Sequence, residues 1–472
     1  MLQVTTQRQM LLVFAAAVAV RLGFHVITGF TADSAFITFR YADNLASGLG
    51  FVYNEGERVL ATSTPLFTFI IALFRLVSFP AVSAALLVSV LSAGFTAVIL
   101  LRLAQLLRFT HLAALPALAY ILFPQSLPAE TAGMEVALFS CLTTAAIYYH
   151  HRHATVYSLA MATLAVLTRP EGAILLLILI ADAIIRHRDA IVSYLAVPVS
   201  LLLPWIGFAL YYFGRVMPRL TAGRSVSFNH AAVAGPFQRF VYVMGFDSVT
   251  GWVLFVLAIA GASWLNRKQN FGWTAILWLA GLIALCTASS ALISPSNVAL
   301  LYPMYLLFAG AGLLLLCEVA GFTPGQFRAA CRWAITLVVV IIAIRGIAPA
   351  RHYRNYQSRL DNTLKAAGEY VFQRSSAADV LATEDIGYVG YYSHLKILDR
   401  EGLISPEARP YIRSKSPLQL LLDYRPAWVV TNAAKPENNF THDPEFRSRF
   451  VLEQQFGGDE GDRYDLWHER GQ

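Results

Sequence analysis

The chain has 472 residues, 57% of them hydrophobic and only 14% charged, with a mean hydropathy of +0.54; this excludes a soluble globular protein of such length. Many of the basic residues behind its net charge of +7 sit in short clusters between apolar runs, as membrane topology requires, so the charge does not indicate a nucleic-acid partner. Four cysteines, Cys141, Cys286, Cys317 and Cys331, all lie in or beside apolar runs, which indicates neither a disulfide framework nor a Cys-based metal site.

The first apolar run, Met10–Phe30, follows Arg8 and has no small-residue cleavage site leading into a soluble domain, so it reads as a retained signal-anchor helix. Segments near the roughly 20-residue length a bilayer core requires lie near 10–29, 82–107, 112–127, 133–149, 155–168, 170–185, 190–213, 248–265, 271–292, 298–319 and 332–348. Alternating these about 11 spans from a cytoplasmic N-terminus gathers Arg8, Arg102 with Arg108, Arg152, Arg186 with Arg188, Arg267 with Lys268, and Arg328 with Arg332 on one side. The positive-inside rule makes that side cytoplasmic. The scheme requires "STPLFTFIIALFRLVSF", Ser63–Phe79, to be interfacial or re-entrant, and its shortness and Arg75 suit that role.

The outer side then receives the first loop (30–81), Pro124–Glu135, Thr168–Gly172, Gly214–His230 and everything after Ala348. In the tail, alternating stretches ("ADVLATED", "PAWVVTN", "RYDLWHE") and helical ones ("LDNTLKAAGEYVFQ", "SPLQLLLDY") read as a small α/β domain. The expected architecture is a polytopic α-helical membrane domain over 1–348 and a C-terminal extracytoplasmic α/β domain over 349–472. No internal repeat is present, whereas secondary transporters are commonly built from two similar halves.

Ionisable residues at membrane depth are costly and count as functional candidates. Asp33 follows the first span among small and apolar neighbours; it either points a carboxylate into an outer cavity or caps a helix Ser34–Leu45. Glu135, Arg169 and Glu171 stand at span ends on the same side, as cavity residues or as a buried ion pair fixing helix register. Arg215, Arg219 and Arg224 fall within one short outer loop that needs no positive charge for topology; guanidinium forks match phosphate oxygens, although a merely solvated basic loop has the same composition. His150, His151 and His153 beside Arg152 read as a snorkelling cluster at a cytoplasmic span end. HExxH, GxxxxGK[ST] and GxSxG are all absent.

The run "ADSAFITFRYADNLASGLGFVYNEGERVLATSTPLFT", followed in order by "GMEVALF", "LTRPEG", "MPRLTAGR" and "DIGYVGYYSHLKILDREGL", resembles the GT-C superfamily of integral-membrane glycosyltransferases. The likeness is to the branch of polyprenyl-phosphate arabinofuranosyltransferases and dolichyl-phosphate-mannose protein mannosyltransferase-like enzymes. It implies a bacterial inner-membrane enzyme, with its site and tail extracytoplasmic, that moves a sugar from a polyprenyl-phosphate donor to a hydroxyl of an envelope glycan, lipid or protein. Asp33 is then the catalytic base and Arg224 stands where the family's phosphate-facing lysine stands, with Arg219 and Arg215 beside it. Arg40, Tyr41, Glu135, Arg169 and Glu171 are expected to support the substrate cavity. Phosphate is already a good leaving group, so this chemistry needs one base and cations rather than the two carboxyls of a glycosidase. Ser34 replaces the second acid of the usual pair, so no metal and no other cofactor is expected; Arg219-Leu220 replaces the usual Asn-Thr after Pro218. A transporter or flippase of lipid-linked sugars is the alternative from another class.

Topology is directly testable. Reporters fused after Arg108, His153 and Lys268 are expected in the cytoplasm and a C-terminal reporter outside it; a cytoplasmic C-terminal reporter contradicts the scheme.

Overall fold

The computed structural model describes residues 2–109, 112–186, 190–218, 235–246, 248–269, 271, 273–288, 294–321, 325–326, 329, 348–458 and 463–471. The chain divides into two compact units, each discontinuous in sequence.

The first unit comprises Met1–Ile27, Ala85–Ile206 and Ser225–Arg351 and is helical. Counting whole helices that run through this part of the chain, five segments among the described residues are long and apolar enough to cross a membrane: Gln7–Thr28, Ala81–Leu106, Ile191–Phe213, Val249–Lys268 and Tyr302–Val319. Others of the about 11 expected crossings correspond to shorter helices among the described residues. The expected span 112–127 is broken into helices Leu115–Leu122 and Ser126–Thr131, since Pro124 in the join cannot donate to a continuing ladder. Thr155–Thr168 and Gly172–Arg186 are 14 and 15 residues long, separated by the turn around Pro170. Most of the expected span 332–348 lies outside the described residues.

Apolar helices gain little from hydrophobic burial when their surroundings are lipid, so close backbone approach has to hold them together. Gly261 on helix Val249–Gln269 and Gly312 on helix Tyr302–Val319 provide it. A Cβ on Gly261 would overlap the Phe308 carbonyl oxygen, and one on Gly312 would overlap that of Leu257. Lys268 and Glu318 close the same helix pair with a 2.6 Å ion pair.

The second unit comprises Thr28–Ala84, Gly207–Arg224 and His352–Gln472. A sequence boundary at 348/349 leaves the first loop with the membrane segments, whereas the structure packs that loop into the tail's own unit. The loop contains helix Asp33–Ala46 and helix Pro65–Leu76; the latter, at 12 residues, is too short to span. Its Arg75 is neutralised by Asp43 of the first helix, Nε to Oδ1 at 2.5 Å.

The tail builds a five-stranded sheet, β1 (Val380–Thr383), β2 (Lys396–Asp399), β3 (Trp428–Asn432), β4 (Phe450–Phe456) and β5 (Tyr464–Glu469), in spatial order β2-β1-β3-β5-β4. β1 pairs in parallel with β2 and β3, while β5 pairs antiparallel with β3 and β4. Ala382, Leu398, Val429 and Trp467 from the strands join Leu420, Leu421, Phe446 and Phe450 in one buried core. Strands covered by helices read as continuous apolar runs rather than as strict alternation, and "VLAT" and "WVVTN" are of that kind.

Gly261→Ala tests the helix crossing. The added methyl meets backbone, not a movable side chain, so a stability loss of about 1–3 kcal/mol is expected, read as a lowered unfolding temperature in detergent; an unchanged midpoint contradicts the close approach.

Candidate active site

Asp33 is the first residue of helix Asp33–Ala46, one place inside its N-cap. The N-cap is Ala32, and no side chain caps this helix, so the capping role open to Asp33 is not the one it fills. Its Oδ1 instead accepts a 2.7 Å hydrogen bond from the backbone N–H of Tyr388 in the tail. A carboxylate in a first helical turn also gains from the unpaired amides there. The chain entering the helix is fixed by the same partners. Gln357 Oε1 accepts from Thr31 N at 3.0 Å, and the Tyr388 hydroxyl donates to the Thr31 carbonyl at 3.2 Å. Gly387 permits the approach, because a Cβ there would overlap the backbone oxygen and carboxylate of Asp33. The Phe36 ring packs on Tyr388, Tyr391 and Tyr392 with centroids 4.2, 5.2 and 5.6 Å away.

Arg40 and Tyr41, expected to support a substrate cavity, are committed to the protein itself. Arg40 donates from Nε to the Tyr53 carbonyl at 2.9 Å, and from its two terminal nitrogens to the carbonyls of Gly390 and Leu395. Its guanidinium also lies 4.3 Å over the Tyr53 ring. Tyr41 is fully buried, with its hydroxyl donating to the Val59 carbonyl and accepting from Ala61 N. Asn54 completes the seam: its amide donates to the Ile397 carbonyl at 2.9 Å and accepts from Ile397 N at 3.0 Å, pairing the outer edge of β2 as another strand would. Of the three outer arginines, Arg215 is half-buried in this unit, and Arg219 and Arg224 lie outside the described residues.

Glu135, Arg169 and Glu171 belong to the first unit and form one buried network. Arg169 Nη1 meets Glu135 Oε1 at 2.6 Å, and Nη2 meets Glu171 Oε1 at 3.0 Å and also Asn297 Oδ1. The network joins the start of helix Val136–His151, the turn after helix Thr155–Thr168 and the short helix Pro295–Ala299. Asn297 carries no signal in the sequence that marks it as a member. A buried ion pair of this kind registers helices, and removing one partner strands the others without compensation.

Solved structures share this architecture. ArnT from Cupriavidus metallidurans bound to undecaprenyl phosphate aligns with TM-score 0.64 at 11% identity, over 97% of this chain and 97% of that one. The apo state of the same protein aligns with TM-score 0.60 at 14% identity, over 98% of both chains. The chain has the GT-C fold. Arabinofuranosyltransferase AftD from Mycobacteria aligns with TM-score 0.56 at 14% identity, with 97% of this chain covering 40% of that one. Residues 348–468 match a family model described as Domain of unknown function (DUF8728). No curated protein matches the sequence.

Asp385 opens the "DIGYVGYY" stretch of the tail. It follows β1 directly, and its Oδ2 is buried with no hydrogen-bond partner among the described residues. Burial pushes its carboxyl up to about 7; Lys435 opposes the shift, while Glu384, Asp33 and Glu401 add to it. The signal available in sequence was the adjacent acidic pair Glu384-Asp385 in an apolar setting, and it becomes informative only once burial is known.

The sign of this shift sets a pH dependence. The unfolded carboxyl ionises near pH 4 while the folded one keeps its proton to about 7, so the folded state binds more protons across that interval and loses stability as pH rises through it. Asp385→Asn removes the titration. The unfolding midpoint of the variant relative to the natural protein is expected to climb from pH 4 to 7 and then level off; a difference constant over pH 4–8 contradicts the shift.

Proposed function

We propose that the protein is a glycosyltransferase that moves a sugar from a polyprenyl-phosphate donor to a hydroxyl of an envelope glycan, lipid or protein on the outer face of the bacterial inner membrane. The observation that carries this reading is the position of Asp33. Its carboxylate, on the first loop, accepts a hydrogen bond from a backbone N–H of the tail, in a chain whose fold is that of ArnT and AftD. The name of one of those structures records bound undecaprenyl phosphate, which supports a polyprenyl lipid as donor carrier here.

In the proposed reaction the acceptor hydroxyl gives its proton to Asp33 as its oxygen bonds to the sugar C1. The C1–O bond to phosphate breaks with its electron pair passing to the phosphate oxygen. No second carboxylic acid is needed, because a phosphate leaves without protonation where an alkoxide would not. Arg224, with Arg219 and Arg215, supplies charge to the departing phosphate; guanidinium forks suit its geometry. About 11 membrane crossings with an extracytoplasmic tail complete the reading, which places Asp33 where a lipid donor meets an envelope acceptor.

Purified protein incubated with a panel of polyprenyl-phosphate sugars and envelope acceptors is expected to yield a new glycoconjugate by mass spectrometry. Asp33→Asn keeps the size of the side chain and an oxygen for Tyr388 N–H, yet cannot take the proton. Turnover is expected to fall about 10²–10⁴-fold with stability nearly unchanged. Near-natural turnover in a folded Asp33→Asn protein removes Asp33 from the role and passes it to Glu135 or Glu171.

A further inference from the structure

The parallel half of the tail sheet carries polar groups that the reaction above leaves unused. β1 lies between β2 and β3, all three parallel, so the chain leaves β1 toward one side of the sheet and later enters β3 on the other. Where connections diverge in this way, a crevice opens beyond the carboxyl ends of the strands, and open α/β sheets bind their ligands there. Each strand delivers polar residues just past its carboxyl end: Glu384 and Asp385 after β1, Arg400 after β2, and Lys435 and Asn438 after β3.

These residues touch one another. Arg400 Nη2 donates to Asn438 Oδ1 at 2.5 Å, Asn438 Nδ2 donates to Glu384 Oε1 at 3.2 Å, and Lys435 Nζ meets the same Glu384 oxygen at 3.1 Å. Two members have atoms to spare. Arg400 is 8% exposed and lies 4.7 Å over the Phe440 ring, yet its Nε and Nη1 have no hydrogen-bond partner among the described residues. Asp385 Oδ2 is buried and unpartnered in the same sense. A desolvated polar group without a partner is costly, the more so when charged, so spare donors and a spare acceptor at the mouth of three strands indicate a ligand that completes them. Donor and acceptor side by side suit a hydroxyl, which both gives and takes a hydrogen bond. Acids outnumber cations here: Glu384, Asp385, Asp399 and Glu401 all act on Arg400, with Lys435 as the other cation, which disfavours a phosphate.

We propose that the crevice beyond β1, β2 and β3 binds the sugar hydroxyls of a neutral glycan acceptor, with Arg400 Nε and Nη1 donating and Asp385 Oδ2 accepting. The inference rests on the transferase reading and adds where the acceptor is held. Asp385 and Tyr388 lie on one short segment, and the N–H of Tyr388 holds Asp33, so the segment that orients the base also carries the hydroxyl contact.

The test uses full-length protein in detergent, with methyl α-arabinofuranoside and methyl α-mannopyranoside as probes in saturation-transfer NMR. At least one glycoside is expected to bind without displacement by equimolar inorganic phosphate. Arg400→Gln and Asp385→Asn are each expected to weaken binding about tenfold or more, the size of one charge-assisted hydrogen bond. The isosteric Asp385→Asn carries the test if Arg400→Gln fails to fold. Absence of binding to both glycosides, displacement by phosphate, or natural affinity in the folded variants overturns the proposal. Transfer of sugar from the polyprenyl-phosphate donor to any member of the envelope acceptor panel, measured alongside by mass spectrometry, reads the transferase separately. Arg400-dependent glycoside binding without donor turnover sinks the transferase reading and keeps the subsite. Donor turnover with glycoside binding indifferent to both substitutions does the reverse.

Discussion

In the second unit, side chains of the first loop repeatedly satisfy backbone groups of the tail. Asp33 takes the N–H of Tyr388, Tyr53 donates to the carbonyl of Ile386, Arg40 reaches the carbonyls of Gly390 and Leu395, and Asn54 pairs both backbone groups of Ile397. Buried backbone donors and acceptors must be paired somewhere, and an open sheet edge invites pairing with other chains. The loop answers both demands at once. Neither part has its backbone hydrogen bonds complete without the other, and the carboxylate of Asp33 is oriented as one member of that seam.

The same seam takes up the hydrogen-bonding atoms of two conspicuous polar residues of the first loop. Arg40 and Tyr41 are expected from the sequence to support the substrate cavity. Their hydrogen-bonding atoms nevertheless meet backbone groups: Arg40 Nε the Tyr53 carbonyl, which Asn44 shares, and the Tyr41 hydroxyl the carbonyl of Val59 and the amide of Ala61. Lys396 and Glu57 add an ion pair at 2.6 Å between the loop and β2, but it is half-exposed and contributes little beside the backbone bonds. Asp33 belongs to the seam through the bond that its Oδ1 accepts from the Tyr388 N–H.

Charge in the first unit follows another rule. Arg21 and Glu130 are both fully buried and meet at 2.7 Å, and Arg169 gathers two carboxylates and Asn297. Such pairs offset their desolvation only through good geometry, and their clearest use is to admit one helix register and no other. The glycine contacts at 261 and 312 act to the same end by shape. Fold alone does not assign chemistry, which is why the functional argument stands on Asp33 and its surroundings.

The sequence by itself determined the membrane character, because apolar composition and run length follow from the solvent the helices face. It also determined that Asp33 opens a helix and that "VLAT", "WVVTN" and "YDLWHE" lie in strands, since local period and composition decide such elements. The division of 112–127 by Pro124 was equally local and was legible there, although run length masked it. Tertiary structure alone decided that β3 lies beside β1, that Asn297 joins Arg169, that Asp33 bonds to Tyr388 rather than capping its helix, and that Arg40 is consumed by carbonyls. It also decided that Glu384, Arg400 and Asn438 meet beyond three strand ends. Each of these is a pairing across tens to hundreds of residues, chosen by which buried polar atoms would otherwise go unsatisfied. A linear pattern records which residues are apolar and at what period, and carries no account of which distant partner a desolvated atom finds.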